Sequence, residues 1–506
     1  MNILQNASEH PGLTALIFFS SSIIVYFISK IFYNLFLHPI KSVPGPWLWA
    51  ATSIPFDYHT FNGTAMHAIL SLHKKYGKEV RIAPNEVSFA DGSVWREVYT
   101  ARPEYPKDPK RTNQGIEPVK NIFLADKEDH ARFRKLLSHA FSAKGIREQE
   151  PRFMGYINLL IERLHEVAER KETIDMVDWM TMTVFDVLGD LTWGESFNGL
   201  KDRKVHEWVD ISMHSTEFFF KASTLLQNKL GFLIPVLTNR KVLDAVKLNA
   251  LFSAELTERR AAAGSEARGD FWDKVLIKSS GEDTGKGDGM TLAEMKVNAS
   301  FLILAGAETT ATTLSGVTYL LGRNSRVKEK LVKEIREAFS SQEEIDLTAV
   351  GRLTYLQHVI METLRLYPPV VDGMPRVTPR GGGNVLGRWY PDNISLHTNH
   401  MAISHLEENF HRAEEFVPER WAADAPPEFT NDLRADCQPF ATGTRNCIGQ
   451  NLAHAEMRLI LSKMLFDFDL ELDLAKMGDM DWFSTQKNYG IWFKDPVWVK
   501  LKARQR

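Results

Sequence analysis

From His10 to Ser29 the chain runs twenty residues without a Lys, Arg, Asp or Glu, and twelve of the sixteen residues in Leu13–Ile28 are apolar or aromatic. Twenty helical residues span roughly 30 Å, the thickness of a bilayer core. Tyr26 and Tyr33 fit an interfacial belt, and Lys30 and Lys41 follow the span. A cleaved signal peptide is the alternative. Its usual basic N-terminal region and small-residue cleavage site are not evident, and the apolar run is long for one. The reading is an uncleaved membrane anchor over residues 1–40, spanning about 11–33, with residues 41–506 on the cytosolic side. Asn6 in Asn6-Ala7-Ser8 is then the one sequon placed for glycosylation, and those at Asn62, Asn298 and Asn393 are chance matches.

The 506 residues correspond to about three domains by length alone. Beyond the stiff Ser42-Val43-Pro44-Gly45-Pro46-Trp47 turn, no long polar linker interrupts the chain until Ser279–Gly289, which reads as a surface loop leading into a helix. Helical periodicity dominates, as in Tyr156–Arg170 and Val327–Phe339. Strand signals are short: Val80–Ala83, Val87–Ala90, Ile491–Phe493 and Val497–Leu501. The expected fold is a mainly α body with small β-sheets (α+β), forming one large domain behind an N-terminal transmembrane helix. A net charge of −3 argues against nucleic-acid binding by bulk charge. Two cysteines, Cys437 and Cys447, exclude a disulfide framework and any multi-cysteine metal cluster.

The segment Phe440-Ala441-Thr442-Gly443-Thr444-Arg445-Asn446-Cys447-Ile448-Gly449 places one of these cysteines before a helical pattern of Ile448, Leu452, Ala455 and Leu459. A cysteine at a helix N-terminus lies near the positive end of the macrodipole and close to free amide donors, and both favour thiolate. Arg445 adds a cation two residues away. One thiolate cannot assemble a zinc site, which needs about four ligands, but it suffices as an axial haem ligand. A buried structural cysteine is the alternative.

The pattern Phe-x-x-Gly-x-Arg-x-Cys-x-Gly resembles the haem-binding signature of the cytochrome P-450 superfamily, with every defining position filled. The resemblance implies haem b, its iron held by the Cys447 thiolate, with Phe440 among the cofactor-binding residues. Gly443 would allow the tight hairpin, Gly449 the close approach of the following helix, and Arg445 would pair with a haem propionate. A second segment, Ala305-Gly306-Ala307-Glu308-Thr309, lies in a long helical run opened by the capping box Thr291-Leu292-Ala293-Glu294 and extending to about Leu321. Gly and Thr are poor mid-helix residues, so the stretch suggests a functional opening, with close helix packing as the alternative. It resembles the family's oxygen-binding motif. By that resemblance Ala305 and Gly306 leave a groove for dioxygen, while Thr309 and Glu308 are the catalytic alcohol and acid that manage proton delivery.

Glu362-Thr363-Leu364-Arg365 precedes Pro418-Glu419-Arg420-Trp421 in an order similar to the family's Glu–Arg–Arg core, which implies a structural role for Glu362, Arg365 and Arg420. His130-Ala131-Arg132-Phe133-Arg134 is similar to the family's Trp-x-x-x-Arg helix, with His130 in place of Trp. Together with Arg376, His130 and Arg134 are candidates to hold propionates. An ordinary surface arginine is the alternative for Arg134 and Arg376.

The chain has no Gly-x-Gly-x-x-Gly unit for flavin or nicotinamide, so electrons come from outside. The resemblance names NADPH–cytochrome P-450 reductase, with cytochrome b5 as a further candidate. Five Lys or Arg and no Asp or Glu between His130 and Arg147 suit an acidic partner. By position in the family, Pro109–Phe123, Phe218–Phe220, Phe301–Thr309, Val370–Met374 and Lys487–Ile491 line a site for a hydrophobic substrate. The stripe Phe218–Phe220 also suits core or membrane contact. The implied function is a membrane-bound monooxygenase of the endoplasmic reticulum. It inserts one atom of O2 into a hydrophobic small molecule, in the manner of filamentous-fungal members acting on polyketides or terpenoids. A redox-independent isomerase or dehydratase, and a catalytically silent haem-binding protein, are the alternatives.

Overall fold

The structure is a computed structural model that describes residues 11–112, 119–264, 268–279, 289–478 and 481–504. The sequon at Asn6, nearly all of the Ser279–Gly289 loop and part of the Pro109–Phe123 segment lie outside the described residues. The N-terminal helix α1 covers Pro11–Phe32 and runs on through a π-turn at Tyr33–Leu37. Within Thr14–Leu37 the most apolar 18 residues reach a mean hydropathy of 2.0, and none of them is buried against the body. Packing begins earlier than residue 41. Asn34, His38 and Ile40 are buried, Asn34 Nδ2 donates to the Ala51 carbonyl at 2.8 Å, and Arg81 donates to the Asn34 carbonyl at 2.9 Å.

The longer helices of the body are α2 (Lys127–Leu137), α3 (Ala143–Arg170), α4 (Met176–Trp193), α5 (Glu207–Gln227), α6 (Arg240–Ala262), α7 (Leu292–Arg323), α8 (Ser325–Ala338), α9 (Thr354–Leu366) and α10 (Gln450–Asp467). The capping box expected at Thr291 forms: its hydroxyl accepts the Glu294 N–H at 3.2 Å, and the Glu294 carboxylate accepts the Thr291 N–H at 2.8 Å. Two satisfied donors at that end help to set a 32-residue helix on a defined start. Helix α4 is buried on nearly all faces. It lies against α3, α6 and α7, and α10 packs on α3 and α7. The motif-bearing helix α7 therefore crosses the centre of the core.

The sheets sit at the margin. Strands β1 (Glu79–Ala83), β2 (Glu86–Phe89), β3 (Arg376–Val377) and β4 (Ser395–Thr398) form one sheet in the order β1–β2–β4–β3. β1–β2 is an antiparallel pair, β2 runs parallel to β4 with Ser88 opposite His397, and β3 is antiparallel to β4. Thr173–Asp175, Trp498–Ala503 and Phe468–Leu472 form a three-stranded sheet, and Lys487–Asn488 pairs with Trp492–Phe493 in a short hairpin. The proline turn is fixed on β1, where the Arg81 N–H donates to the Pro44 carbonyl at 2.7 Å. Asn298 is fully buried, its side chain bonded to the Ile122 N–H and the Glu294 carbonyl, so that sequon is a chance match.

Candidate functional site

The loop before α10 is shaped by its backbone. Gly443 has φ +78°, and a Cβ there would lie 2.1 Å from the Tyr99 carbonyl oxygen, so only glycine fits. A 3₁₀ turn at Gly443–Arg445 follows, and the Cys447 N–H closes the loop on the Phe440 carbonyl at 2.8 Å. Phe440 packs on His454 of α10, with ring centroids 5.0 Å apart. Gly449 is the N-cap of α10, and a Cβ there would meet nothing closer than the Cys447 sulfur at 3.9 Å. The expected close approach at Gly449 is therefore not made by protein atoms.

The Cys447 residue is exposed by area, whereas protein crowds its sulfur closely enough for burial to be the largest influence on its acidity. Burial raises the thiol. The Gly449 and Gln450 amides and the Arg134 guanidinium act in the opposite direction. The cation beside the sulfur is thus Arg134 of α2 rather than Arg445. Arg134 donates to the Asn446 carbonyl at 2.6 Å and to Asn446 Oδ1 at 2.5 Å, which ties α2 to the cysteine loop. Cys437 differs: it is 4% exposed among Phe410, Ala413 and Trp421, and burial pushes its thiol up to about 12.

Arg445 turns away from the sulfur. Its Nε lies 3.0 Å from Glu104 Oε1, and its Nη1 donates to the Ala125 carbonyl at 2.9 Å. Arg376 of β3 reaches the same Glu104 oxygen at 3.0 Å. Burial raises the Glu104 carboxyl, but the Arg445 and Arg376 guanidinia outweigh it and hold the group below the usual carboxylate range. Lys107 donates to the Ala125 carbonyl at 2.7 Å. Burial, then the repulsion of Arg445 and Arg376, pushes it down to about 7. His130 on α2 is buried, and burial with Arg445, Lys107 and Arg134 nearby pushes it down to about 4. Arg376, Arg445 and Lys107 thus gather at one carboxylate, Glu104, while Arg134 stands beside the Cys447 sulfur. That surplus of positive charge beside an accessible, crowded thiol is the donor set a dicarboxylate macrocycle with an axial thiolate requires, so the residues fit haem.

On α7 the accessible positions form a stripe. Phe301, Ala305 and Thr309, four residues apart, are half-buried, whereas Ala307, Glu308 and Thr310 through Leu321 are buried. Thr309 Oγ1 donates to the Ala305 carbonyl at 2.8 Å. Gly306 serves packing: a Cβ there would lie 3.1 Å from Leu188 of α4. Glu308 points away from this stripe. It forms a buried ion pair with Lys494, whose ammonium also donates to Thr312 Oγ1 at 3.1 Å. Thr310 bonds the Glu456 side chain of α10, a carboxyl that burial raises well above its ordinary value.

Glu362, Arg365 and Arg420 meet, fully buried. Glu362 accepts Arg365 Nε at 2.9 Å and Nη2 at 2.8 Å, Arg420 Nε at 3.0 Å, the Val417 N–H at 2.9 Å and the Trp421 indole at 2.9 Å. Arg365 donates onward to the Ser404, Ala413 and Glu415 carbonyls, and Arg420 pairs with Asp432. Burial raises the Glu362 carboxyl, but Arg365 and Arg420 hold it below the usual range.

The candidate substrate segments converge in pairs. Phe123 stacks on Phe301 at 5.5 Å, and Phe220 abuts Gly490, where a Cβ would lie 2.7 Å from its ring. The basic run is smaller at the surface than its count. Arg132 is bound by Glu294 and Asp129, Arg134 turns inward, and Lys135, Lys144 and Arg147 remain exposed. Arg147 also lines a cavity of about 350 Å³ with His454 and Arg458. Glu104, Lys107 and Lys494 were not singled out by sequence. Their signals are single charged residues, and only the fold brings them together.

The family model for cytochrome P450 matches residues 43–490. Averantin hydroxylase of Dothistroma septosporum is 40% identical over 483 residues, covering 96% of this chain and 90% of its own length. Versicolorin B desaturase of Aspergillus parasiticus is 41% identical over 482 residues, covering 95% of each. A cytochrome P450 monooxygenase of Penicillium aethiopicum is 40% identical over 482 residues, covering 94% of this chain and 89% of its own.

Proposed function

The chain belongs to the cytochrome P450 family, and from that premise we propose that Cys447 is its haem ligand and that Arg134, Arg376, Arg445 and Lys107 hold the propionates. The protein is a haem-thiolate monooxygenase of the fungal secondary-metabolism type. Bound through a cysteine thiolate, haem supplies the activation of O2 that oxidises a hydrophobic small molecule. The observation that carries the assignment of the ligand is the contrast between the cysteines. Cys447 is exposed, with Arg134 and the Gly449 and Gln450 amides beside its sulfur, whereas Cys437 is sealed in an apolar cluster.

The protein's own groups have separate roles in this reading. His130 orients α2 beside the cationic cluster. Arg134 also clamps the cysteine loop through Asn446. The half-buried stripe of Phe301, Ala305 and Thr309 presents an apolar wall with one hydroxyl. Thr309 is the alcohol that directs a proton, and Glu308 is the acid that supplies it. Glu362, Arg365 and Arg420 cross-link α9 to the loop carrying Asp432 and keep the cysteine loop in place. The substrate is a polyketide or terpenoid intermediate, bound between the segments around Phe123, Phe220, Phe301 and Gly490. The three named relatives are a hydroxylase, a desaturase and a monooxygenase, names that all denote oxidations. That supports the oxidative reading over an isomerase, a dehydratase or a silent haem binder.

Residues 1–40 anchor the enzyme, and 41–506 form the catalytic domain on the cytosolic face of the endoplasmic reticulum. Beside α1, Trp47, Ile54 and Tyr58 expose apolar side chains, and Asn228, four residues before the exposed Phe232 and followed by exposed Val236 and Leu237, donates from Nδ2 to Asp57 at 3.1 Å. An apolar patch of this kind suits a bilayer surface. NADPH–cytochrome P-450 reductase, or cytochrome b5, docks at the basic surface of Lys135, Lys144 and Arg147 beside the cavity under α10. Metabolite profiling of a strain with and without the gene, followed by turnover of the accumulated compound with purified enzyme, reductase and NADPH, tests the function. NADPH-independent conversion would refute it.

A further inference from the structure

Glu104 stands among the very cations that the haem reading assigns to propionates. Arg376 donates to its Oε1 from Nη1 at 3.0 Å, and Arg445 donates to the same oxygen from Nε at 3.0 Å. Each guanidinium also holds one backbone carbonyl: Arg376 Nη1 that of Tyr105 at 3.3 Å, Arg445 Nη1 that of Ala125 at 2.9 Å. Other nitrogens are left over. Arg376 Nε is buried and has no acceptor among the described residues, and Arg445 donates to none of them from Nη2. Arg376 is fixed in this attitude, since its side chain is 3% exposed and its guanidinium lies 5.2 Å over the Tyr99 ring. A buried donor without an acceptor is rare in a native fold and marks the place of an absent partner. Each arginine thus gives one nitrogen to Glu104 and keeps another for a second acceptor. Glu104 and a carboxylate ligand can therefore be held together, neither displacing the other.

The charge on Glu104 is real at neutral pH. Burial would raise its carboxyl, but Arg445 and Arg376 outweigh it. With its side chain 19% exposed, water and salt screen it less than they screen a surface acid. An anion fixed at this edge opposes the arrival of further negative charge on a neighbouring group. We propose that Glu104 is a redox-tuning residue: it stays on Arg376 and Arg445 when haem is bound, and its charge lowers the reduction potential of the iron. One-electron reduction by the external partner is then less favourable than the cations alone would make it. The inference rests on the haem-thiolate reading above.

Potentiometric titration of full-length, haem-loaded, substrate-free enzyme tests it, with dithionite, redox mediators and the Soret band as readout. Neither substrate nor turnover is involved. Wild type is compared with Glu104→Gln, which removes the charge but keeps an oxygen for both guanidinia, and with Glu104→Asp, which is shorter but charged. In Glu104→Gln the ferric-to-ferrous equilibrium constant is expected to rise at least threefold, or ~28 mV at about 59 mV per tenfold for one electron. Glu104→Asp is expected to stay nearer to wild type than to Glu104→Gln. Should Glu104→Gln fail to load haem, Glu104→Ser, small and uncharged, replaces it with the same expected rise. A smaller rise or none, as when haem drives Glu104 off the arginines into water, overturns the proposal. So does a Glu104→Asp potential nearer to that of Glu104→Gln, because shape and not charge would then be the cause. A wild-type preparation with no thiolate-type carbon monoxide spectrum overturns the haem-thiolate reading instead, so the two failures are distinguishable.

Discussion

Raising the pH should loosen the marginal sheet through one buried imidazole. His397 on β4 is 2% exposed, with Nδ1 3.0 Å from Asp372 Oδ2 and Nε2 3.0 Å from Glu86 Oε2 on β2. Burial alone lowers the imidazole, but hydrogen bonds and charge attraction from both carboxylates prevail and push it up to about 9 from 6.5. At 1.36 kcal/mol per pH unit that displacement corresponds to ~3 kcal/mol. A group raised in the folded state contributes its full stability below its unfolded value. The contribution is therefore complete below about 6.5 and is lost as pH rises to about 9 and beyond. Asp372 lies in the 370–374 segment that precedes Arg376, so the loss reaches the cationic cluster at Glu104. Urea unfolding of the full-length protein in detergent, followed by tryptophan fluorescence at pH 6 and pH 9.5, measures this against His397→Gln. The wild type should lose ~3 kcal/mol more than the variant over that interval. Parallel losses in the two proteins would show that the imidazolium is not the link.

Three further outcomes follow from the geometry. Replacing Glu362 with Leu leaves the Arg365 guanidinium buried without an anion, leaves Arg420 only Asp432, and orphans the Val417 and Trp421 donors; a cost of about 3–5 kcal/mol is expected, read as lost haem incorporation on expression. Gly443→Ala puts a Cβ 2.1 Å from the Tyr99 carbonyl at φ +78°. The backbone conformation alone costs about 1–3 kcal/mol, so the variant should lose haem on gel filtration, and full retention would count against the loop geometry described here. Reversing the exposed charges in Lys144→Glu and Arg147→Glu should slow stopped-flow reduction by the reductase and flatten its salt dependence, while an unchanged rate at low salt would place docking elsewhere.

Local signals carried much of the site. Gly443 is legible because its loop needs one residue at positive φ, and the start of α7 because a capping box uses residues three apart. The buried meeting of Glu362, Arg365 and Arg420 was expected from resemblance, but its partners Asp432 and Trp421 come from the loop's path. Pairings across long stretches of chain were not legible. Glu308 finds Lys494 186 residues later, and β2 finds β4 more than 300 residues away. Arg445 shows a local inference failing for a local reason: two residues from sulfur in sequence, it is turned by the 3₁₀ turn toward Glu104, which leaves Arg134 beside Cys447. The basic run overstated the exposed patch because Arg132 is bound by Glu294 of α7 and Arg134 by Asn446 of the cysteine loop.

The central claim is that Cys447, and not Cys437, carries the iron. The reduced, carbon monoxide-bound absorption spectrum of wild type, Cys447→Ser and Cys437→Ser tests it most directly. A thiolate-type, red-shifted Soret band in wild type and Cys437→Ser that is absent from Cys447→Ser is the predicted result. The same band surviving in Cys447→Ser, or a haem–histidine band in the wild type, would contradict it.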